Sequence, residues 1–287
     1  MANSIATYTD SQIMKCMLTH DFDLIGKRFE DNLVTKIKTG AFFEATNLEE
    51  VVLPAVTHIG SMAFAGTNLT TLTLTWANIV SIGIGAFQDG FGKVPQNLTL
   101  PALTALGAGA FAGASDAKNT ELRSISLPIW TGSSISDESI SSNTGIFAYC
   151  SALTSVSAPE LLAIPMSSFQ YCTALTELVF PKATSIGSGS FTGCTNLTKI
   201  DIGGAVTSMN SSFLSTTTKL EAFILRGVTT VPNIGNSTFN DTRIASGQAY
   251  VYVPKSLEDT FKVANRWSNY ANQIRAIEDY PAVTGAA

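Results

Sequence analysis

The residues of this 287-residue chain whose types can support metal, nucleophilic or phosphate chemistry are four cysteines, two histidines and a few glycine-rich steps. Cys150, Cys172 and Cys194 follow one another at intervals of 22, while Cys16 stands apart. A tetrahedral zinc site needs four ligands, usually supplied as closely spaced Cys pairs. Here the thiols are far apart in sequence, and His20 and His58 lie elsewhere. A free cysteine also behaves as a small hydrophobe, and Ala45, Gly66 and Ala114 stand near the same slot. The expectation is therefore a column of buried structural thiols and no metal. Whether any of them pair as a disulfide depends on which way the side chains turn, which spacing leaves open.

Gly107-Ala108-Gly109 and Gly187-Ser188-Gly189 are rich enough in glycine to cradle a phosphate. A phosphate loop, however, sits between a strand and the start of a long helix. Each triplet here leads to a phenylalanine and then to another strand-like run, so a turn is expected instead. The chain contains no G-x-S-x-G, H-E-x-x-H or P-loop pattern, and each of those would be needed to hold its nucleophile, metal or phosphate in place. Its carboxylates are scattered, with no recurring pair to act as acid and base. Catalytic residues, metal ligands and cofactors are all expected to be absent, and the protein to be no enzyme.

What must position any functional residue is a repeat. Phenylalanine recurs at Phe42, Phe64, Phe87, Phe111, Phe147, Phe169, Phe191, Phe213 and Phe239, with spacings of 22, 23, 24, 36, 22, 22, 22 and 26. An L-x-x-L-x-L-P phrase accompanies it, as LEEVVLP from Leu48, LRSISLP from Leu122, LTSVSAP from Leu153 and LTELVFP from Leu175. Between phrase and phenylalanine lies a step such as Ile59-Gly60, Ile82-Gly83, Leu106-Gly107 or Ile186-Gly187. The last three apolar-polar-apolar positions of the phrase have the period of a short strand. Proline then ends the strand, because it has no N–H to donate. One coil of this kind cannot bury its own apolar face, so the coils must stack.

Together, the Ile-Gly step, the Phe-x-x-Cys/Gly element and the L-x-x-L-x-L-P phrase resemble the BspA-like branch of the leucine-rich repeat families, over residues 36–254. The resemblance implies an α+β repeat solenoid: a right-handed leucine-rich-repeat stack of about nine coils, with a parallel sheet on one face and capped ends. It also implies a bacterial-type surface or adhesion protein whose partner is a protein or a glycan. Residues 1–35 are expected to form an amino-terminal cap with a helix starting near Thr9 or Asp10. Residues 255–287 are expected to form a helical cap opened by Ser256 and Asp259 as a capping box, with residues 267–277 folding back over the last coil and a frayed tail after Tyr280.

Composition narrows the partners. Charged residues make up 14% and hydrophobic residues 45%, and the net charge is −5. This gives no basic footprint for nucleic acid, and no apolar run approaches the ~20 residues of a membrane span. The first ten residues lack the features of a secretory signal, so a part in a larger assembly such as a virion is the alternative to surface adhesion.

The expected binding surface is the outward position between the last two core residues of each strand. It runs Val52, Thr73, Thr99, Ser126, Ser157, Val179, Asp201, Ile224 and Tyr252, hydroxyl-rich in the middle and more apolar toward the carboxyl end. Polar insertions at 88–95, 114–121 and 131–141 are a second expected contact region. Trp76 and Trp130 follow strands and are either exposed anchors or edge plugs.

Overall fold

The computed structural model describes residues 28–67, 69–89, 97–113, 121–134, 145–210, 212–235 and 237–285. The expected amino-terminal helix and most of the three insertions lie outside the described residues.

The chain winds as a parallel-strand solenoid of about ten turns with few helices. One face carries short strands at Arg28–Glu30, Glu50–Val52, Thr71–Thr73, Asn97–Thr99, Ser124–Ser126, Ser155–Ser157, Glu177–Phe180, Lys199–Ile202, Ala222–Leu225, Tyr250–Val253 and Ile274–Ala276. They pair in parallel within three groups, which part after Thr71–Thr73 and after Ser155–Ser157. The alternation of each phrase is realised directly: Leu48, Val51 and Leu53 are buried, while Glu50 and Val52 between them stay partly exposed.

Two-residue strands at the apolar-Gly step form a second ribbon. It runs from Lys36–Ile37 to Ala105–Leu106 and again from Ala163–Ile164 to Asn233–Ile234. The interruption falls at the coil carrying Trp130, which is buried and donates its Nε1–H to the Ser133 carbonyl at 3.0 Å. Trp76 is partly buried, its ring 5.8 Å from Phe87. Both tryptophans are edge plugs.

The repeat phenylalanines form the axis of the core. From Phe42 through Phe64, Phe87, Phe111, Phe147, Phe169 and Phe191, successive rings lie 5.2–5.9 Å apart and within 13° of parallel. This is the offset stacking that aromatic rings favour. Beyond Phe191 the geometry changes to edge-on, with Phe191–Phe213 at 69° and Phe213–Phe239 at 63°. The ladder ends against Trp267 and Tyr270.

Threonine knits the coils together. Thr57, Thr104 and Thr184 donate their hydroxyls to the carbonyls of Thr35, Val80 and Leu162, one coil earlier. On another edge Thr70, Thr154 and Thr198 do the same to Glu49, Arg123 and Thr176. Part of the hydroxyl excess is thus structural, adding a second hydrogen bond to carbonyls that already accept the backbone N–H of the same threonine.

The ends depart from expectation in four ways. The strand Arg28–Glu30 already pairs with Glu50–Val52, so the sheet begins before residue 36. At the other end Tyr250–Val253 is not the last strand, because Ile274–Ala276 adds to it in parallel. The helix Glu258–Val263 carries no side-chain cap, and Ser256 lies in the 3-10 turn Lys255–Leu257 before it. With the start shifted, the hydroxyl of Ser256 stands too early to act as a cap. Finally, residues 281–285 are not frayed: Pro281–Thr284 is a short helix with Thr284 buried. The expected fold-back over the last coil is present, with Trp267 buried and its Nε1–H donated to the Pro232 carbonyl at 2.8 Å.

Candidate functional site

The outward positions of the strands come into register as a line. Val52 sits opposite Thr73, Thr99 opposite Ser126 and Ser126 opposite Ser157. Past the second break, Val179, Asp201, Ile224, Tyr252 and Arg275 continue it. The parallel line beside it runs Arg28, Glu50 and Thr71, then Asn97, Ser124 and Ser155, then Glu177, Lys199, Ala222 and Tyr250.

Exposure divides the line in two. Thr73, Thr99, Ser157 and Val179 are exposed and Val52 and Ser126 are half-buried. None of the hydroxyls of Thr73, Thr99, Ser126 and Ser157 makes a hydrogen bond among the described residues. Ser124, by contrast, donates to Asn97 Oδ1 at 2.7 Å. This stretch is uncharged on its own line and open.

Asp201, Ile224 and Tyr252 lie on the same line but are buried, which corrects the expectation of a face open along its whole length. The cover is the segment that follows the last strand. Ile277 packs with Ala222, Ile224 and Tyr252, with Tyr250 alongside. Tyr280 meets Tyr252 edge-on at 5.7 Å. Arg226 holds Asp201 through Nε at 2.8 Å and Nη2 at 2.7 Å, and Nη2 also donates to the Thr284 carbonyl. Arg275 lies 4.5 Å from the centre of the Tyr250 ring. The drift from hydroxyls to Ile224 and Tyr252 was the signal for this cover: a strand position facing water has little reason to be fully apolar in adjacent coils.

The cysteines are a separate matter. Cys150, Cys172 and Cys194 are free thiols, fully buried. Each donates to the carbonyl of the phenylalanine in the previous coil: Phe111 at 3.1 Å, Phe147 at 3.0 Å and Phe169 at 2.9 Å. In other coils the slot holds Thr67, Thr217 or Thr242, whose hydroxyls bond within their own turn. Thr67, not Gly66, is thus the equivalent residue.

Burial pushes the Cys194 thiol up to about 12 and raises Cys172 well above its ordinary value, with neighbouring thiols adding to the effect at Cys172. A buried thiol that resists ionisation is a poor nucleophile. Alkylation at pH 8 is therefore expected to leave these three unmodified in the native protein and to label them on unfolding, as peptide mass spectrometry would show. The sign of the pH effect follows. The folded state holds the Cys172 and Cys194 protons more tightly than the unfolded one, so their contribution is intact below about pH 9 and is lost as pH rises from there toward 12. Replacing Cys194 by Ala should flatten that alkaline decline.

His58 shares a hydrogen bond with Thr57 Oγ1 at 2.8 Å and has no acidic partner there. His20 lies outside the described residues. Asn196 donates its amide to the Thr173 carbonyl at 2.7 Å, one coil earlier, and accepts from Lys219.

Comparisons agree with this architecture. Residues 23–139 and 138–262 match the family model of the BspA type leucine-rich repeat region, in six copies. Among solved structures, the pneumococcal vaccine antigen PcpA is similar at a TM-score of 0.50 and 18% identity, over 87% of this chain and 79% of that one. A leucine-rich repeat protein from Bacteroides ovatus gives a TM-score of 0.43 at 18% identity, over 87% and 83%. Listeria monocytogenes InlP gives 0.33 at 17%, over 90% and 63%. At 18% identity the likeness to PcpA is one of fold alone. No curated protein matches the chain.

Proposed function

The chain belongs to the BspA-type leucine-rich repeat proteins, and on that premise we propose that it is a non-catalytic module that binds a protein partner at a cell surface through the open part of its strand face. Proteins of this type are generally surface protein-interaction modules. The observation that carries the reading is the line Thr99, Ser126 and Ser157, with Thr73 across the first break, in which unpaired hydroxyls stand on short strands, those of Thr99, Ser126 and Ser157 paired in register.

Such a surface favours binding for two physical reasons. Uncharged hydroxyls cost little to desolvate compared with the ionised groups they replace. Because the strands are already fixed by the core, little conformational entropy is lost when a partner docks. Val179, half exposed at the carboxyl end of the open stretch, adds an apolar contact. No helix among the described residues is long and apolar enough to cross a membrane.

The test is capture of partners from fractionated source cells with the native chain and with Thr99→Arg/Ser157→Arg. These outward substitutions should leave the melting temperature unchanged and weaken capture by at least tenfold, about 1.4 kcal/mol. Binding equal to the native chain would remove the hydroxyl line from the function. Capture that survives protease treatment and is lost to periodate would replace the protein partner with a glycan. Co-sedimentation with particles in fixed stoichiometry would make the chain an assembly component in place of a surface adhesin.

A further inference from the structure

The covered end of the strand face has the anatomy of a second docking site. Beneath residues 277–285 lie Ala222, Ile224 and Tyr252, with Tyr250 at their edge. Tyrosine and arginine, both present here, are the residues in which binding hot spots are enriched. The same strand positions five to seven coils earlier, Thr99 and Thr73, are open. The cover itself is slight. Its helix has four residues, far too few to be stable alone, and Glu278, Asp279, Tyr280, Pro281, Ala282 and Val283 are all exposed. Only Ile277 and Thr284 are buried in it.

The decisive feature is Arg226. It bonds Asp201 through both Nε and Nη2, and reaches the cover only through the Thr284 carbonyl. When the cover leaves, Asp201 keeps its partner and no unpaired buried charge results, while a guanidinium N–H becomes available. The large penalty for breaking a buried ion pair therefore does not oppose opening.

We propose that residues 277–285 are a releasable strap that occupies, in the closed chain, a docking site for a protein segment of the strap's own chemistry: an aliphatic side chain, a tyrosine three residues on and a backbone carbonyl four residues beyond that. The partner displaces the strap in order to bind. This goes beyond the open hydroxyl line, which does not need the strap to move, and either can fail without the other.

Native-state hydrogen exchange on the full chain tests the first half. The amides of Val283 and Thr284, bonded to the Tyr280 carbonyl, and of Gly285, bonded to that of Pro281, should exchange roughly a hundredfold or more faster than those of the strands Ala222–Leu225 and Tyr250–Val253, as a locally opening unit does. The second half uses a synthetic peptide of residues 277–285. It should bind the Ile277→Ser chain at least about tenfold more tightly than the native chain, whose site is filled most of the time. Exchange of the strap in step with those strands would overturn the proposal, since the segment would then be core. So would a peptide that binds both chains equally or neither.

Discussion

Phe169→Ala should cost about 3–5 kcal/mol of unfolding free energy, a loss large enough to decide whether the ring ladder holds the fold. Phe169 is buried at 1% exposure and touches three other rings: Phe147 at 5.5 Å, Phe180 at 5.9 Å and Phe191 at 5.9 Å. Removing the ring therefore opens a cavity and also deletes stacking contacts, each worth about 0.5–1.5 kcal/mol beyond the area it buries. Collapse is resisted because backbone hydrogen bonds tie this coil to both neighbours, from the Phe147 N–H to the Ser168 carbonyl and from the Phe169 N–H to the Ser190 carbonyl.

A solenoid adds a further consequence. Each coil touches only its neighbours, so stability resides in the coils and the interfaces between them. Weakening one interior interface should let the two halves unfold separately. Urea denaturation followed by circular dichroism should show the midpoint falling and the slope m falling with it, the mark of lost cooperativity. Phe169→Leu, which fills more of the space, should show the smaller midpoint shift with m retained. An alanine variant within 1 kcal/mol of the native chain would mean that the ladder is not the stabilising axis of the fold.

That axis was legible in the sequence for a physical reason. Whatever each coil needs, it needs again one coil later, so a local demand becomes a period. The phenylalanine, the strand alternation and the apolar-Gly step all recur, and the structure places them as expected. The register of Thr99, Ser126 and Ser157 follows from the same rule. The carboxyl-terminal cover obeys no such rule. It brings residues 277–284 onto strands that end at 202, 225 and 253, a contact made once and therefore absent from any period. Its sequence, after Tyr280, is a run of small residues with no apolar rhythm. The first described strand, Arg28–Glu30, was hidden because it reads R-F-E and lacks the leucines of the phrase. What the sequence did hold was the apolar pair Ile224 and Tyr252 on an outward register, a demand for cover whose supplier it could not name.

The glycines of Gly187-Ser188-Gly189 separate two demands that look alike in sequence, and their substitution should tell them apart. A Cβ on Gly187 would stand 2.5 Å from the Met166 backbone nitrogen and 2.8 Å from its Cα, inside the backbone of the preceding coil. Gly83 and Gly107 stand in the same relation to the coils before them. This is a column of close approaches, and nothing flexible is there to yield. Overpacking into side chains typically costs about 1–3 kcal/mol, and against fixed backbone Gly187→Ala should reach about 3 kcal/mol. Gly189 differs. Its φ is +66°, and a Cβ there would meet only the Ser167 hydroxyl at 3.3 Å and the Thr192 hydroxyl at 3.7 Å. Gly189→Ala should therefore cost only the left-handed penalty, about 1 kcal/mol. Ser167, with φ +54°, holds the same place in the coil before and shows that a side chain is tolerated there. Thermal unfolding of the two variants should accordingly differ by several degrees, with Gly187→Ala the lower. The opposite order would mean that coil spacing is set elsewhere than at the apolar-Gly step, and the close stacking that holds the strand face in register would need another cause.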